Sequence, residues 1–358
     1  MQGISLRHRV TVSLTAAAAF LLAVTKPVWS QSPLAQPATE RTTVIAEWES
    51  LKYGMFIHFG LSTFMKEEYG KKEEATCADY RPTDLDVDQW ARVAKEAGMK
   101  YAVLTTKHCY GHCLWPSKHS DRTVAQSPVK DDVVKLFVDA CRKHSVKPGF
   151  YYLLGWDNYH QRRMTPDQYE EFCRNQISEL LTGYGPIVEL WLDIPFDLGP
   201  GNSARLQRIY TLAKRLQPDC LVLFNQSFWD GTGPHTRRVT WNYHRKTLNE
   251  RVTIWPTDIL NGECTPPPKD GHVPWIGVGG KNYYVPMQTE DCLTEVWFHT
   301  GKNKPKPLDW RMKRYDEVVG RGANWLLDVA PDQTGRIPQD QVDALMELKR
   351  ALDGRAKN

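Results

Sequence analysis

The sequence predicts a (β/α)8-like TIM barrel, and three observations carry that prediction. Apolar, β-branched runs of strand length alternate with amphipathic helical patterns roughly eight times along the chain. The strands read as near-continuous apolar runs, as strands buried on both faces do, rather than as the in–out alternation of a half-exposed sheet. No glycine-rich phosphate loop follows any of them, which sets aside a doubly wound dinucleotide-binding sheet.

The chain opens with Arg7, His8 and Arg9, then the apolar run from Val10 to Val24, then small residues around Val28-Trp-Ser30. That is the pattern of a secretory signal over residues 1–30, with an apolar run too short to span a bilayer comfortably. The expectation is an exported protein, periplasmic or secreted, with no membrane span after signal cleavage. Residues 31–45 are polar and Pro-containing and read as a loose lead-in. Residues 46–354 read as one catalytic-sized domain.

Within it, Ala46-Glu-Trp-Glu-Ser-Leu starts a short helix, and Lys52-Tyr-Gly-Met-Phe-Ile-His-Phe-Gly is the first strand. Residues 61–83 read as a long loop. Val87 to Ala97 has helical spacing and stops at Gly98, a good C-terminal glycine. Lys100 to His108 is the second strand. Asp131 to His144 is an amphipathic helix whose two leading aspartates suit its positive end. Pro148 to Leu154 is a strand, Pro166 to Leu181 a helix, and Pro186 to Asp193 the next strand. Ser203 to Leu216 is a helix and Cys220 to Asn225 a strand. From Phe228 to Lys281 the chain is rich in Gly, Pro and Thr and gives no clear period. Tyr284 to Glu290 reads as a strand, Leu308 to Val319 as a helix, Asn324 to Val329 as the last strand and Asp340 to Leu352 as the last helix. Little sequence follows, so no second domain is expected.

A formal net charge of +4, without a long basic block, is too mild and too dispersed for a nucleic-acid binder. Eight cysteines in an exported chain make disulfides possible. Cys141, Cys173 and Cys220 fall inside core elements instead, where a cysteine is a small buried apolar residue. No pairing follows from the spacing.

In a parallel barrel the carboxyl ends of the strands open on the catalytic face. The predicted ends carry His58, His108, Tyr151 or Tyr152 with Trp156 beyond, Asp193 and Asn225. Polar groups converging on one face are what a ligand pocket requires. Asp193 alone reads equally as a cap on the turn that follows it. The stretch Lys107-His-Cys-Tyr-Gly-His-Cys113 has cysteines spaced for a tetrahedral metal, with His108 and His112 to complete the set. All four share one short stretch, whereas zinc sites draw on two separated clusters, so no metal is expected.

Met55-Phe-Ile-His-Phe-Gly-Leu-Ser-Thr, Trp90 with Ala-Lys-Glu-Ala-Gly-Met-Lys-Tyr101, Thr106-Lys-His, Cys113-Leu-Trp-Pro-Ser117, Leu190-Trp-Leu-Asp193 and Val319-Gly-Arg-Gly-Ala-Asn-Trp-Leu-Leu-Asp-Val-Ala-Pro-Asp332 together resemble the α-L-fucosidases of glycoside hydrolase family twenty-nine. The similarity runs in order from about Trp48 to the last helix. It implies a (β/α)8-like catalytic domain, retaining exo-hydrolysis of terminal α-L-fucose from glycans, and no cofactor. Many family members add a C-terminal β-sandwich, for which this chain has no room.

The resemblance makes Asp193 the nucleophile and His58 and His108 sugar contacts. Where the family has Lys-His-His-Asp-Gly-Phe, this chain has Cys109, Tyr110 and His112 in place of the second His, the Asp and the Phe. Glu68 stands where a Trp is usual. Pro286-Met-Gln-Thr-Glu-Asp-Cys-Leu-Thr-Glu-Val-Trp297-Phe matches the frame around the family's acid/base. Counting without gaps puts Gln288 at that position. Glu290, two residues on and on the same side of an extended chain, is the expected acid/base, with Glu263 a further candidate. His58, His108 and Tyr152 are expected to orient hydroxyls together with Asn225, and Trp115, Trp156 or Trp297 to cover an apolar sugar face. Two rival readings follow from the departures: a catalytically impaired sugar-binding homologue, and the same fold acting on another deoxy or modified sugar.

Overall fold

A computed structural model of the chain describes residues 33–72, 74–227, 252–301 and 303–355. The proposed signal at 1–30 lies outside the described residues. Eight strands run parallel: β1 (Tyr53–Ile57), β2 (Tyr101–Lys107), β3 (Lys147–Leu153), β4 (Glu189–Asp193), β5 (Leu221–Phe224), β6 (Leu260–Asn261), β9 (Met287–Cys292) and β10 (Asn324–Asp328). Their order is β5-β4-β3-β2-β1-β10-β9-β6. A parallel bridge between Leu223 and Ile259 joins the two ends of that sheet. The ring is therefore nearly closed, as the alternation of the sequence predicts. Between β6 and β9 lies an antiparallel hairpin, β7 (Trp275–Val278) and β8 (Lys281–Tyr284).

Helices line the outside: α3 (Val87–Glu96), α4 (Val133–Lys143), α5 (Pro166–Gly183), α6 (Asn202–Leu216), α7 (Leu308–Val318) and α8 (Gln339–Arg355). Their starts are chemically marked. Asp86, Asp132 and Thr165 each accept a backbone N–H of the first turn, and Pro166 takes the first helical position, where no N–H is needed. Two short helices complete the set, α1 (Thr43–Glu49) and α2 (Leu61–Met65). The second interrupts what reads as loop in the sequence.

Period-two alternation divides each strand between two cores. Outward residues such as Met55, Leu104, Phe150, Leu190 and Val222 join the helices. Inward residues such as Phe56, Val103, Tyr151, Trp191, Leu223 and Leu326 fill the barrel, and Ile45 and Trp48 of α1 close its floor. Near that floor Gly54 is required by close approach: a Cβ there would stand 2.5 Å from the Tyr101 ring.

Inward positions also stack in layers. Asn324 pairs in register with Gln288, Leu326 with Glu290, and Asp328 with Cys292. The expected single strand from Tyr284 to Glu290 is split at Val285-Pro286, because proline brings no N–H to a ladder. The barrel strand β9 begins only at Met287. All eight cysteines are unpaired thiols, and Cys141, Cys173 and Cys220 are buried. Among the described residues no helix is long and apolar enough to cross a membrane.

Candidate functional site

The carboxyl ends of the strands surround a cavity. His58, His108, Trp156, Asp193, Asn225 and Trp297, all expected from the sequence, line it, and so does Glu263. The inward period places them. On β4 it runs Glu189, Trp191, Asp193; after β5 it reaches Asn225; through β6 it runs Ile259, Asn261, Glu263.

Asp193 is held from three directions. Tyr151 donates its hydroxyl to Oδ2 at 2.6 Å, Asn225 donates Nδ2 to Oδ1 at 2.6 Å, and the N–H of Ile194 donates to Oδ1 at 2.7 Å. The same Asn225 amide nitrogen lies 3.0 Å from Glu263 Oε2. One nitrogen thus bridges two carboxylates. The bridging contacts of 2.6 and 3.0 Å cap the separation of those two oxygens below about 6 Å, beside the ~5–5.5 Å of retaining glycosidases. Burial, then the nearby charge of Glu263, pushes Asp193 up to about 6; the bonds from Tyr151, Asn225 and Ile194 oppose that rise.

The backbone is strained where these groups are presented. Ile194, Gln226 and Cys264 follow Asp193, Asn225 and Glu263 and have φ of 47°, 57° and 56°; Trp156, beyond β3, has 59°. Left-handed backbone is costly for such residues, on the order of 1–3 kcal/mol each, and clusters at functional sites. The Trp156 turn is pinned from behind. The carboxylate of Asp157 accepts the N–H groups of Tyr159 and His160 and the ammonium of Lys107 at 2.9 Å.

The walls are aromatic. His108 stacks on Tyr151 at 5.6 Å, and Tyr151 on Trp191 at 5.2 Å. Trp297 lies 5.2 Å from the His58 ring. Burial pushes both His58 and His108 down to about 3, so the imidazoles are neutral near pH 7. His58 Nδ1 meets Asp328 Oδ1 at 2.7 Å, which fixes the ring. Burial also drives Asp328 well above the carboxylate range. Glu68 accepts the backbone N–H groups of Trp297 and Phe298 at 2.6 and 3.2 Å, tying the first long loop to the Trp297 turn.

Four expected residues stand elsewhere. Glu290 is fully buried inside the barrel, one layer below the rim, level with Leu326 rather than with Asp328. Its carboxyl accepts from Trp191 Nε1 at 3.1 Å and from Asn261 Nδ2. Gln288 is a layer deeper and donates to Tyr101 and Glu189. Strand parity was right for both, but their height was not. Tyr152 points outward, where its hydroxyl meets Gln176 and Lys107; its neighbour Tyr151 takes the inward position. Trp115 is buried against α5, its indole N–H on Glu179.

The cysteine–histidine stretch diverges: His108 and Cys109 face the cavity, His112 bonds Ser127, and Cys113 lies beside Gln176. Sequence reasoning missed Tyr151's bond to Asp193 and the role of Asp328. Strand parity counted back from Asp193 and Leu326 would have indicated both.

The Alpha-L-fucosidase family model matches residues 22–354. The chain is 30% identical over 310 residues to Alpha-L-fucosidase 1 of Arabidopsis thaliana, covering 84% of this chain and 58% of that one. It therefore spans little more than half the length of that relative. Among solved structures it is similar to alpha-L-fucosidase isoenzyme 1 from Paenibacillus thiaminolyticus, with a TM-score of 0.70, 25% identity, and coverage of 88% of this chain and 77% of that one. A glycoside hydrolase 29 family member from an unknown rumen bacterium aligns with a TM-score of 0.68 at 27% identity over 89% of this chain and 58% of that one.

Proposed function

Because the chain belongs to the alpha-L-fucosidase family, we propose that it releases terminal α-L-fucose from glycans by a retaining double displacement. Asp193 attacks the anomeric carbon, and the leaving oxygen departs with a proton from Glu263. Glu263 then takes a proton from water, which attacks the same carbon and frees Asp193. The observation that supports this reading is the Asn225 amide shared by Asp193 and Glu263, which keeps one oxygen of each carboxyl within about 6 Å of the other, compatible with a retaining pair. It favours Glu263 over Glu290, whose carboxyl is enclosed by Trp191 and Asn261 and does not line the cavity.

His58 and His108 are neutral imidazoles suited to orienting hydroxyls. Trp156 and Trp297 offer ring faces to the apolar face of the sugar. Cys109 faces the cavity in place of an imidazole, and this one feature favours a second reading, another deoxy sugar in the same site. Export rests on the basic-then-apolar N-terminus.

The test is turnover of chromogenic α-L-fucosides, with a panel of other deoxy-glycosides beside them. Dye release with retained anomeric configuration, lost in Glu263→Gln for poor leaving groups only, is the expected result. No turnover of any fucoside overturns the reading; preference for another deoxy sugar moves it to the second.

A further inference from the structure

We propose that a basic pocket beside the fucoside cavity binds an anionic substituent, a sulfate ester or a carboxylate, on the glycan to which the fucose is attached. The proposal rests on the fucosidase reading of the neighbouring cavity. Lys72, Arg122, Arg162 and Arg163 surround this second pocket, with Tyr110 and Tyr159 between them. Three chain segments pass from one cavity wall to the other. Tyr69, Cys109 and Trp156 line the first cavity; Gly70, Tyr110 and Asn158 line the second. One or two residues of chain, about 4–8 Å, separate the two walls. Asn158 fixes that partition by donating Nδ2 to the carbonyls of Tyr69 and Gly70 at 2.9 and 3.3 Å. A saccharide leaving from Asp193 toward Tyr69 thus arrives over the cationic wall.

Three of these four cations are held by backbone oxygens rather than by acids. Lys72, Arg122 and Arg163 bond the backbone carbonyls of Met65, Ala75 and Tyr159. Among the described residues no carboxylate lies within ion-pair distance of these three. Glu67 and Asp121 flank the pocket as acceptors of its tyrosines, Tyr110 donating to Glu67 at 3.1 Å and Tyr159 to Asp121 at 3.1 Å. The guanidinium groups of Arg122 and Arg163 lie 4.5 and 4.1 Å from the Tyr159 ring centre, which orders two planar forks suited to sulfate or carboxylate oxygens. A neutral aglycone would gain only ordinary hydrogen bonds from that arrangement, without the charge assistance.

The experiment compares three fucosylated saccharides that differ only in the aglycone sugar: neutral, sulfated, or carrying a uronic acid. At low salt, kcat/KM is expected to favour at least one anionic substrate by about tenfold, and the ratio should shrink as salt is raised. The larger of the two anionic ratios identifies the anion. Lys72→Gln with Arg163→Gln, both exposed positions, should bring the ratio near one. That double variant should leave a small chromogenic fucoside within about twofold of the parent. A wild-type ratio near one for both anions, or a ratio untouched by the double variant, overturns the proposal. If no fucoside is turned over, the neighbouring reading fails on its own, and calorimetric affinities of the same three saccharides still give the ratio.

Discussion

Asp193 and Glu290 stand on different strands of one barrel and point inward, Glu290 fully buried and Asp193 partly so, and both are pushed above the ordinary carboxylate range chiefly by burial. One layer of side chains separates their roles. Asp193 is at the rim, where Tyr151, Asn225 and the Ile194 N–H hold its oxygens beside an open cavity with Glu263 across the Asn225 amide. Glu290 is enclosed between Trp191 and Asn261 and does not line that cavity. The difference teaches that a displaced pKa does not by itself mark a reacting group. Height along the strand decides whether a carboxyl can meet a ligand.

The strongest way to break the comparison is at the rim. Asp193→Asn should lower kcat by about 10⁴-fold while the thermal transition persists, because the isostere keeps the packing and removes the nucleophile. Glu263→Gln should cost about 10²–10⁴-fold on a fucoside with a poor leaving group and far less on an activated aryl fucoside. A uniform loss on both would remove Glu263 from the acid role.

Glu290→Leu sharpens the contrast from below. It strips the acceptor from Trp191 and Asn261, costing about 1–3 kcal/mol for each buried donor left unpaired, and should show first as a lower Tm. Turnover should change by less than about tenfold, since no reacting atom is touched. A collapse of kcat with Tm intact would return Glu290 to the chemistry.

Smaller effects appear in the pH profile. The acidic limb of kcat/KM should fall near pH 6, where Asp193 protonates. Tyr151→Phe removes a bond that favours the charged form, so the limb should move up. Stability has its own sign. Asp193 is raised in the folded chain from 3.8 to about 6, so the folded form binds more protons across that window. Its contribution therefore weakens stability as pH rises from about 4 to 6, and Asp193→Asn should flatten Tm over that range.

Much of this was legible in the chain itself. Long strands ending in polar residues placed His58, His108, Asp193 and Asn225 on one rim because parallel barrel strands share a direction. The strand end alone does not separate Tyr152 from Tyr151; parity counted from Asp193 does, and it turns Tyr151 inward. Glu290 was preferred to Glu263 because the sequence frame gives facing but not height, and register with Leu326 is a pairing between distant segments. Glu263 itself follows a two-residue strand, Leu260–Asn261, in a Gly- and Pro-rich region too short in period to read.

The division of labour between rim and interior is tested most directly by trapping the glycosyl-enzyme. A 2-deoxy-2-fluoro fucosyl donor with an activated leaving group slows the second step, so the sugar should remain bound to the protein. Peptide mass spectrometry should place that adduct on Asp193. An adduct on Glu290 or Glu263, or turnover with inverted configuration and no adduct at all, would contradict the assignment.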